Sequence, residues 1–330
     1  MLKLGLKKLK NKLSQFILGT SHFGGYINFE NAKKIILKSY QYGIHKIDTS
    51  PMYGESKAES FIGIVKKQYN LKLKVFSKVG LEGFKKNNYF YARKIPLNSK
   101  NIISSVENSL KNLNIDCLDL LQLHCFDHKT PLEETIPAVL KLIKSGKVKD
   151  YGICNYNSYE LEKLLKFLDK FEEKKPYSSQ IHYNLIERKS EIDLIPLLKK
   201  NKIKVFANRV FAMGILSGKY IELKKYPKNS RASKSLRISN YINNQIINIS
   251  KVLNSISEKK NTETINISIK WLINNKNINN SIIGINNLNH LKNFYNYNKS
   301  LKKINMNIVE QNLKIFKKSI MSNPKKYLIL

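Results

Sequence analysis

The sequence is poor in cysteine, in acid and in continuous apolar runs, and each shortage argues against a class of protein. Its three cysteines, Cys117, Cys125 and Cys154, have neither an even count nor metal-ligand spacing. A disulfide framework and a zinc site are therefore not expected, and a reduced, cytoplasmic setting is. No stretch approaches the length of a membrane span, and lysines interrupt residues 1–16 every two or three positions, so neither membrane insertion nor a signal peptide is expected. Gly24-Gly25 does not complete a G-x-G-x-x-G turn, which argues against an open sheet that holds a dinucleotide at its first turn.

The shortage of acid is the extreme one. Against 59 Lys and Arg stand 24 Asp and Glu, a formal net charge of +35 over 330 residues. Such an excess attracts nucleic acid, anionic lipid or phosphorylated substrates when it is clustered. Here Lys, Asn and Ile crowd every region alike, and no zinc pattern, basic amphipathic arm or aromatic RNA-binding strand accompanies them. Compositional bias is the preferred reading, with no specific nucleic-acid partner.

What is present is a rhythm of apolar runs and helical patterns. After a small hairpin expected over residues 2–15, strands are expected at Phe16–Thr20, up to Asp48, up to Lys78, up to His124, at 149–154, 178–182, 203–208 and 281–283. Helical spacing separates them, as in Ile35, Ile36, Ser39 and Tyr40, or in Ile102, Val106, Leu110 and Leu113. Two long basic loops are expected, Val79 to Leu97 and Arg209 to about Asn240. Unbroken apolar strands alternating with helices indicate a parallel sheet buried on both faces, and eight such units close a (β/α)8 TIM barrel. The expectation is a single domain, 1–330, with long loops at the carboxyl ends of the strands.

In a barrel those ends assemble the site. Asp48, Lys78 and His124 end the second, third and fourth strands, and Tyr53 follows in the turn Asp48-Thr49-Ser50-Pro51-Met52-Tyr53-Gly54. An acid, an amine, an imidazole and a phenol thus converge on one rim.

These residues resemble the aldo-keto reductase superfamily over nearly the whole chain. Gly19-Thr20 is similar to its first-strand Gly-Thr, the Asp48 to Gly54 turn to its Asp-Thr-Ala-x-x-Tyr-Gly, and Asp119-Leu120-Leu121-Gln122-Leu123-His124 to its Asp-Leu-x-x-x-His. Gly146 to Asn155 resembles its Gly-Lys-Ile-Arg-x-Ile-Gly-Val-Ser-Asn. Gln180 with Tyr183-Asn184 resembles its Gln-x-x-Tyr-Asn, and Ala212 to Tyr220 its Gly-x-Leu-x-Gly-Lys-Tyr segment.

The resemblance implies a catalytic tetrad of Asp48, Tyr53, Lys78 and His124, and reduction of an aldehyde, ketone or sugar carbonyl with NADP(H), or NAD(H) as the alternative. Carbonyl reduction needs a proton for the nascent alkoxide. The ammonium of Lys78 is expected to lower the Tyr53 pKa toward a useful range, with Asp48 holding Lys78. For the cofactor, the resemblance implies Gly19, Thr20, Asp48, Asn155, Gln180, Arg209, Ala212, Lys219, Arg231, Gly284, Asn286 and His290, with Asn155 and Gln180 at the nicotinamide carboxamide and Lys219 and Arg231 at the phosphates. Ile283-Gly284-Ile285-Asn286 and His290 depart from the family's usual sequence there. The alternative is a cofactor-binding regulatory subunit on the same barrel, as in the channel β-subunit branch; retention of all four tetrad residues favours the enzyme. The sequence names neither substrate nor oligomeric state.

Overall fold

The computed structural model describes residues 13–86, 89–228, 230–234, 238, 242–296 and 304–316, with the main chain alone at 85, 86, 89, 90, 231, 234 and 293. Most of the expected N-terminal hairpin lies outside these residues.

Eight parallel strands close a barrel: β1 (Phe16–Gly19), β2 (Lys46–Asp48), β3 (Lys74–Val79), β6 (Leu120–Leu123), β7 (Tyr151–Cys154), β8 (Ser178–His182), β9 (Lys204–Asn208) and β10 (Asn280–Gly284). Closure is made where β1 pairs with β10, with Phe16 opposite Ser281 and Gly19 opposite Gly284. Helices cover the outside. Phe29–Gln41 buries Ala32, Ile35, Ile36 and Ser39, while Ser99–Leu113 buries Ile102, Val106, Ser109 and Leu113. The chain's wealth of asparagine serves these helices: Asn28, Asn98, Asn157 and Asn243 each cap a helix, accepting a main-chain N–H with the side chain.

Inside the barrel, Ile17, Phe76, Leu120, Phe206 and Ile282 form an apolar plug. Side chains along a strand repeat a face every second residue. Two positions beyond each plug residue therefore lie Gly19, Lys78, Gln122, Asn208 and Gly284, and this next layer is polar or empty. The plug forms a floor for the site, and the change from plug to polar layer is written into five strands at once.

One element differs from expectation. The stretch expected to be a loop over Val79 to Leu97 contains an antiparallel hairpin, β4 (Leu81–Lys86) with β5 (Tyr89–Lys94). One face carries the stacked rings of Phe84 and Tyr91, 5.6 Å apart, and the Glu82–Arg93 ion pair. The other carries Gly83 opposite Ala92. A Cβ on Gly83 would stand 2.2 Å from the Met52 carbonyl oxygen, so the hairpin lies directly against the turn that bears Tyr53.

The plug makes the fold's stability testable. Phe206→Ala should cost about 3–5 kcal/mol, the usual cost of truncating a buried aromatic, as measured by urea denaturation. A cost below about 1 kcal/mol would show that the floor is not packed as described.

Candidate active site

Four of the expected residues do converge. β2 ends at Asp48, 3% exposed, and β3 presents Lys78, 1% exposed and the only lysine buried among the described residues. Lys78 Nζ donates to Asp48 Oδ1 at 2.5 Å and to the Thr49 carbonyl at 2.8 Å. Two of its three N–H bonds are thereby fixed, and the ammonium lies 5.1 Å from the centre of the Tyr53 ring. The Tyr53 ring in turn meets His124 edge to face, with centroids 6.4 Å apart.

Tyr53 is held by its turn. Gly54 has φ +57, and a Cβ there would stand 2.5 Å from the Phe23 carbonyl. Only glycine combines that conformation with that approach. The turn is thereby pressed onto the loop after β1.

The electrostatics follow from burial. Desolvation lowers the Lys78 pKa, but Asp48, by its charge and its hydrogen bond, together with Tyr53 and Cys154, outweighs it and holds the lysine pKa above its ordinary value. His124 moves the other way: burial, reinforced by repulsion from Lys78, lowers its pKa well below 6.5. The imidazole is neutral, with one ring nitrogen able to donate. Its buried Nδ1 has no partner among the described residues.

Tyr53 corrects an expectation. Its pKa is raised rather than lowered, because burial of the phenol outweighs the opposing field of Lys78, and Asp48 adds to the rise. The ammonium therefore limits the rise.

Asp48 is not held by Lys78 alone. Its Oδ2 accepts from Gln122 Nε2 and from Gln180 Nε2, each at 2.9 Å. The sequence reading missed Gln122, although a glutamine within the apolar run Leu120 to Leu123, two positions before His124 and so on the same face, is a visible signal. Asn208, at the end of β9, was missed too: its Nδ2 donates to Gln180 Oε1 at 3.1 Å while its own Oδ1 is buried and unpartnered.

The expected cofactor residues divide. Asn155, half-buried with φ 60, donates to the His124 carbonyl at 2.9 Å. Gln180 has both ends of its amide engaged inside the barrel, so a ligand reaching it would compete with Asn208 or Gln122. Thr20 is fully buried, and its hydroxyl donates to the Asp48 carbonyl at 2.9 Å. Ala212 is 1% exposed. Neither offers a side-chain surface to a ligand.

On the far rim Gly284 is exposed, and a Cβ added there would meet nothing within 4 Å. Asn286 Oδ1 meets His22 Nδ1 at 2.7 Å, bridging the loops after β10 and β1. Lys219 is exposed, and its charge, after partial desolvation, helps lower the His290 pKa, so the two lie within electrostatic reach of each other. Arg209, Ala212, Met213 and Gly214 all have positive φ, a run that turns the main chain sharply after β9. The Arg231 side chain lies outside the described residues.

The model of the aldo/keto reductase family matches residues 15–314. The chain belongs to that family. Among relatives, it is similar to the aldo-keto reductase YhdN of Bacillus subtilis strain 168, 31% identical over 221 residues, which are 66% of this chain and 63% of that protein. The match thus spans just under two thirds of the relative's length. A putative aryl-alcohol dehydrogenase of Saccharomyces cerevisiae is 28% identical over 255 residues, 73% of this chain and 74% of that one. In fold, the reductase barrel superimposes on a glycerol dehydrogenase from Gluconobacter oxydans with a TM-score of 0.76 at 22% identity, covering 94% of both chains.

The neutrality of His124 is testable by NMR of ring-labelled histidine, with the resonance assigned through His124→Gln. At pH 6.5, where a free imidazole is about half protonated, His124 should be neutral. Lys78→Met should raise its pKa by removing a repelling charge. A protonated His124 at that pH in the unaltered protein would contradict the electrostatic picture.

Proposed function

We propose that this chain is a carbonyl reductase, taking NADP(H) and an aldehyde, ketone or sugar, with Tyr53 as the proton donor. The observation that carries the proposal is the placement of the phenol beside Lys78, a buried ammonium fixed by a buried carboxylate. The names of the yeast relative, a putative aryl-alcohol dehydrogenase, and of the Gluconobacter structural neighbour, a glycerol dehydrogenase, are consistent with the same chemistry run in either direction.

The rim suits a nicotinamide dinucleotide. Buried, unpartnered polar atoms at its centre, His124 Nδ1, Thr49 Oγ1 and Asn208 Oδ1, call for a polar ligand. Gly284 leaves open space on the β1–β10 side, and the exposed Lys219 contributes positive charge at the rim. Asn155 and Gln180 would hold the carboxamide end, Lys219 and Arg231 the phosphates, with NADPH favoured over NADH. The bound nicotinamide supplies the hydride.

The protein's own groups handle the oxygen. His124, neutral and edge-on to Tyr53, donates to the carbonyl oxygen and fixes its approach. As negative charge develops there, the Tyr53 hydroxyl gives up its proton and Lys78 stabilises the phenolate left behind. A phenol with a raised pKa stays protonated through neutral pH, as a donor must. In the reverse direction the same pair removes the proton from an alcohol.

Tyr53→Phe tests this with a panel of aldehydes and sugars and NADPH oxidation as readout. Loss of the hydroxyl should lower reduction by roughly 10²–10⁴, the range of general acid catalysis. NADPH affinity should stay nearly unchanged, because the ring is retained. Near-wild-type reduction by the variant would mean that water or His124 supplies the proton, and the assignment would fall.

A further inference from the structure

Gln122 has no place in the proton transfer just described, yet it is fully buried at the centre of the barrel. Its amide is committed at both ends. Nε2 donates to Asp48 Oδ2 at 2.9 Å, and Oε1 accepts from Gln180 Nε2 at 3.2 Å and from the Cys154 thiol at 3.5 Å. Burial keeps that thiol protonated by raising its pKa, so it remains a donor. Gln180 closes the ring, giving Nε2 to both Asp48 Oδ2 and Gln122 Oε1.

This ring leaves Gln122 one orientation. If its amide were flipped, its oxygen would face the Asp48 carboxylate and its NH₂ would face that of Gln180, setting acceptor against acceptor and donor against donor. The fixed amide in turn fixes Asp48: with Oδ2 held by two amides, Oδ1 is left to Lys78. Gln122 also stands on β6, two residues before His124, so it ties the strand of the imidazole to the carboxylate on β2. Asp48 is oriented from the side opposite Lys78.

We infer that Gln122 is a positioning residue of the reductase site, holding the Asp48 carboxylate so that Lys78 keeps its place beside Tyr53. The inference rests on the reading of Tyr53 as proton donor. Without the Gln122 amide, Asp48 keeps its charge partner but loses a buried donor and the ring that aligned it. The cost falls on proton transfer more than on binding, because the Gln122 side chain is fully buried and its amide is committed to Asp48, Gln180 and Cys154.

Two variants test it, read by the pH dependence of kcat and KM beside Tyr53→Phe. Gln122→Met keeps much of the volume and removes the donor; kcat should fall up to about 10²-fold, as for a misplaced catalytic group, with KM and NADPH affinity within about twofold. Gln122→Glu should be pH-dependent in a way the wild type is not. Protonated, the new carboxyl donates to Asp48 as the amide did, so activity approaches wild type at acid pH. As pH rises the two carboxyls compete for one proton, and ionisation sets like charges together. A second descending limb, at lower pH than the one set by Tyr53, should appear.

If Gln122→Met fails to fold, Gln122→Glu carries the test alone. Wild-type profiles in the folded Gln122 variants, beside an inactive Tyr53→Phe, would overturn the positioning role and leave the proton donor standing. Equal losses in kcat and NADPH affinity, with no new limb for Gln122→Glu, would show a purely structural glutamine and also overturn it. Reduction retained by Tyr53→Phe would overturn both readings.

Discussion

The site depends on one interaction, the buried ion pair between Lys78 and Asp48 at 2.5 Å. Neither charge is stable there alone. A buried ammonium without its partner tends to lose its proton, and removing one member of such a pair costs roughly 3–5 kcal/mol. Much of the surrounding structure serves to meet this demand. Thr49 takes a second N–H of Lys78 and the two glutamines donate to the second oxygen of Asp48, Thr20 ties down the Asp48 main chain, and an apolar plug lies below. The charge pair is costly to bury and is supported by neutral groups rather than by further charges. Tyr53 and His124 beside it keep their neutral forms because burial disfavours their charged ones.

The contrast with the rest of the chain is instructive. Other lysines pair with acids at the surface, as Lys147 with Glu107 and Lys149 with Asp119, where an ion pair contributes little. Among the described residues the excess positive charge is thus mostly solvated. One lysine among the described residues is buried, and its position follows from a strand register that places it two residues above Phe76.

Much of this was legible in the sequence because strands ending in titratable residues are uncommon and a barrel brings strand ends together. Asp48, Lys78 and His124 could be placed from that rule alone, and Tyr53 from the turn that follows. The parts that were not legible are tertiary. The hairpin over 81–94 looked like a loop because its aromatic and basic residues obscured the alternation, and the contact of Gly83 with Met52 has no local signature. Gln122 looked like a variable position in a motif until the curvature of the barrel set it against Asp48. The sign of the Tyr53 shift required knowing how deeply the phenol is buried, since proximity of Lys78 argues the opposite way. The burial of Thr20 and Ala212, both expected near the cofactor, is likewise set by the tertiary fold.

The central claim is that a cation held by Asp48 tunes a protonated Tyr53 for transfer. The pH profile of carbonyl reduction in Lys78→Met, set against the wild type, tests it most directly. Reduction requires the phenol, so the wild-type rate should fall as pH rises through the Tyr53 pKa. With the ammonium gone, nothing offsets the effect of burial. The account predicts a lower plateau and a descending limb displaced to higher pH. A limb that stays in place, or moves to lower pH, would contradict it.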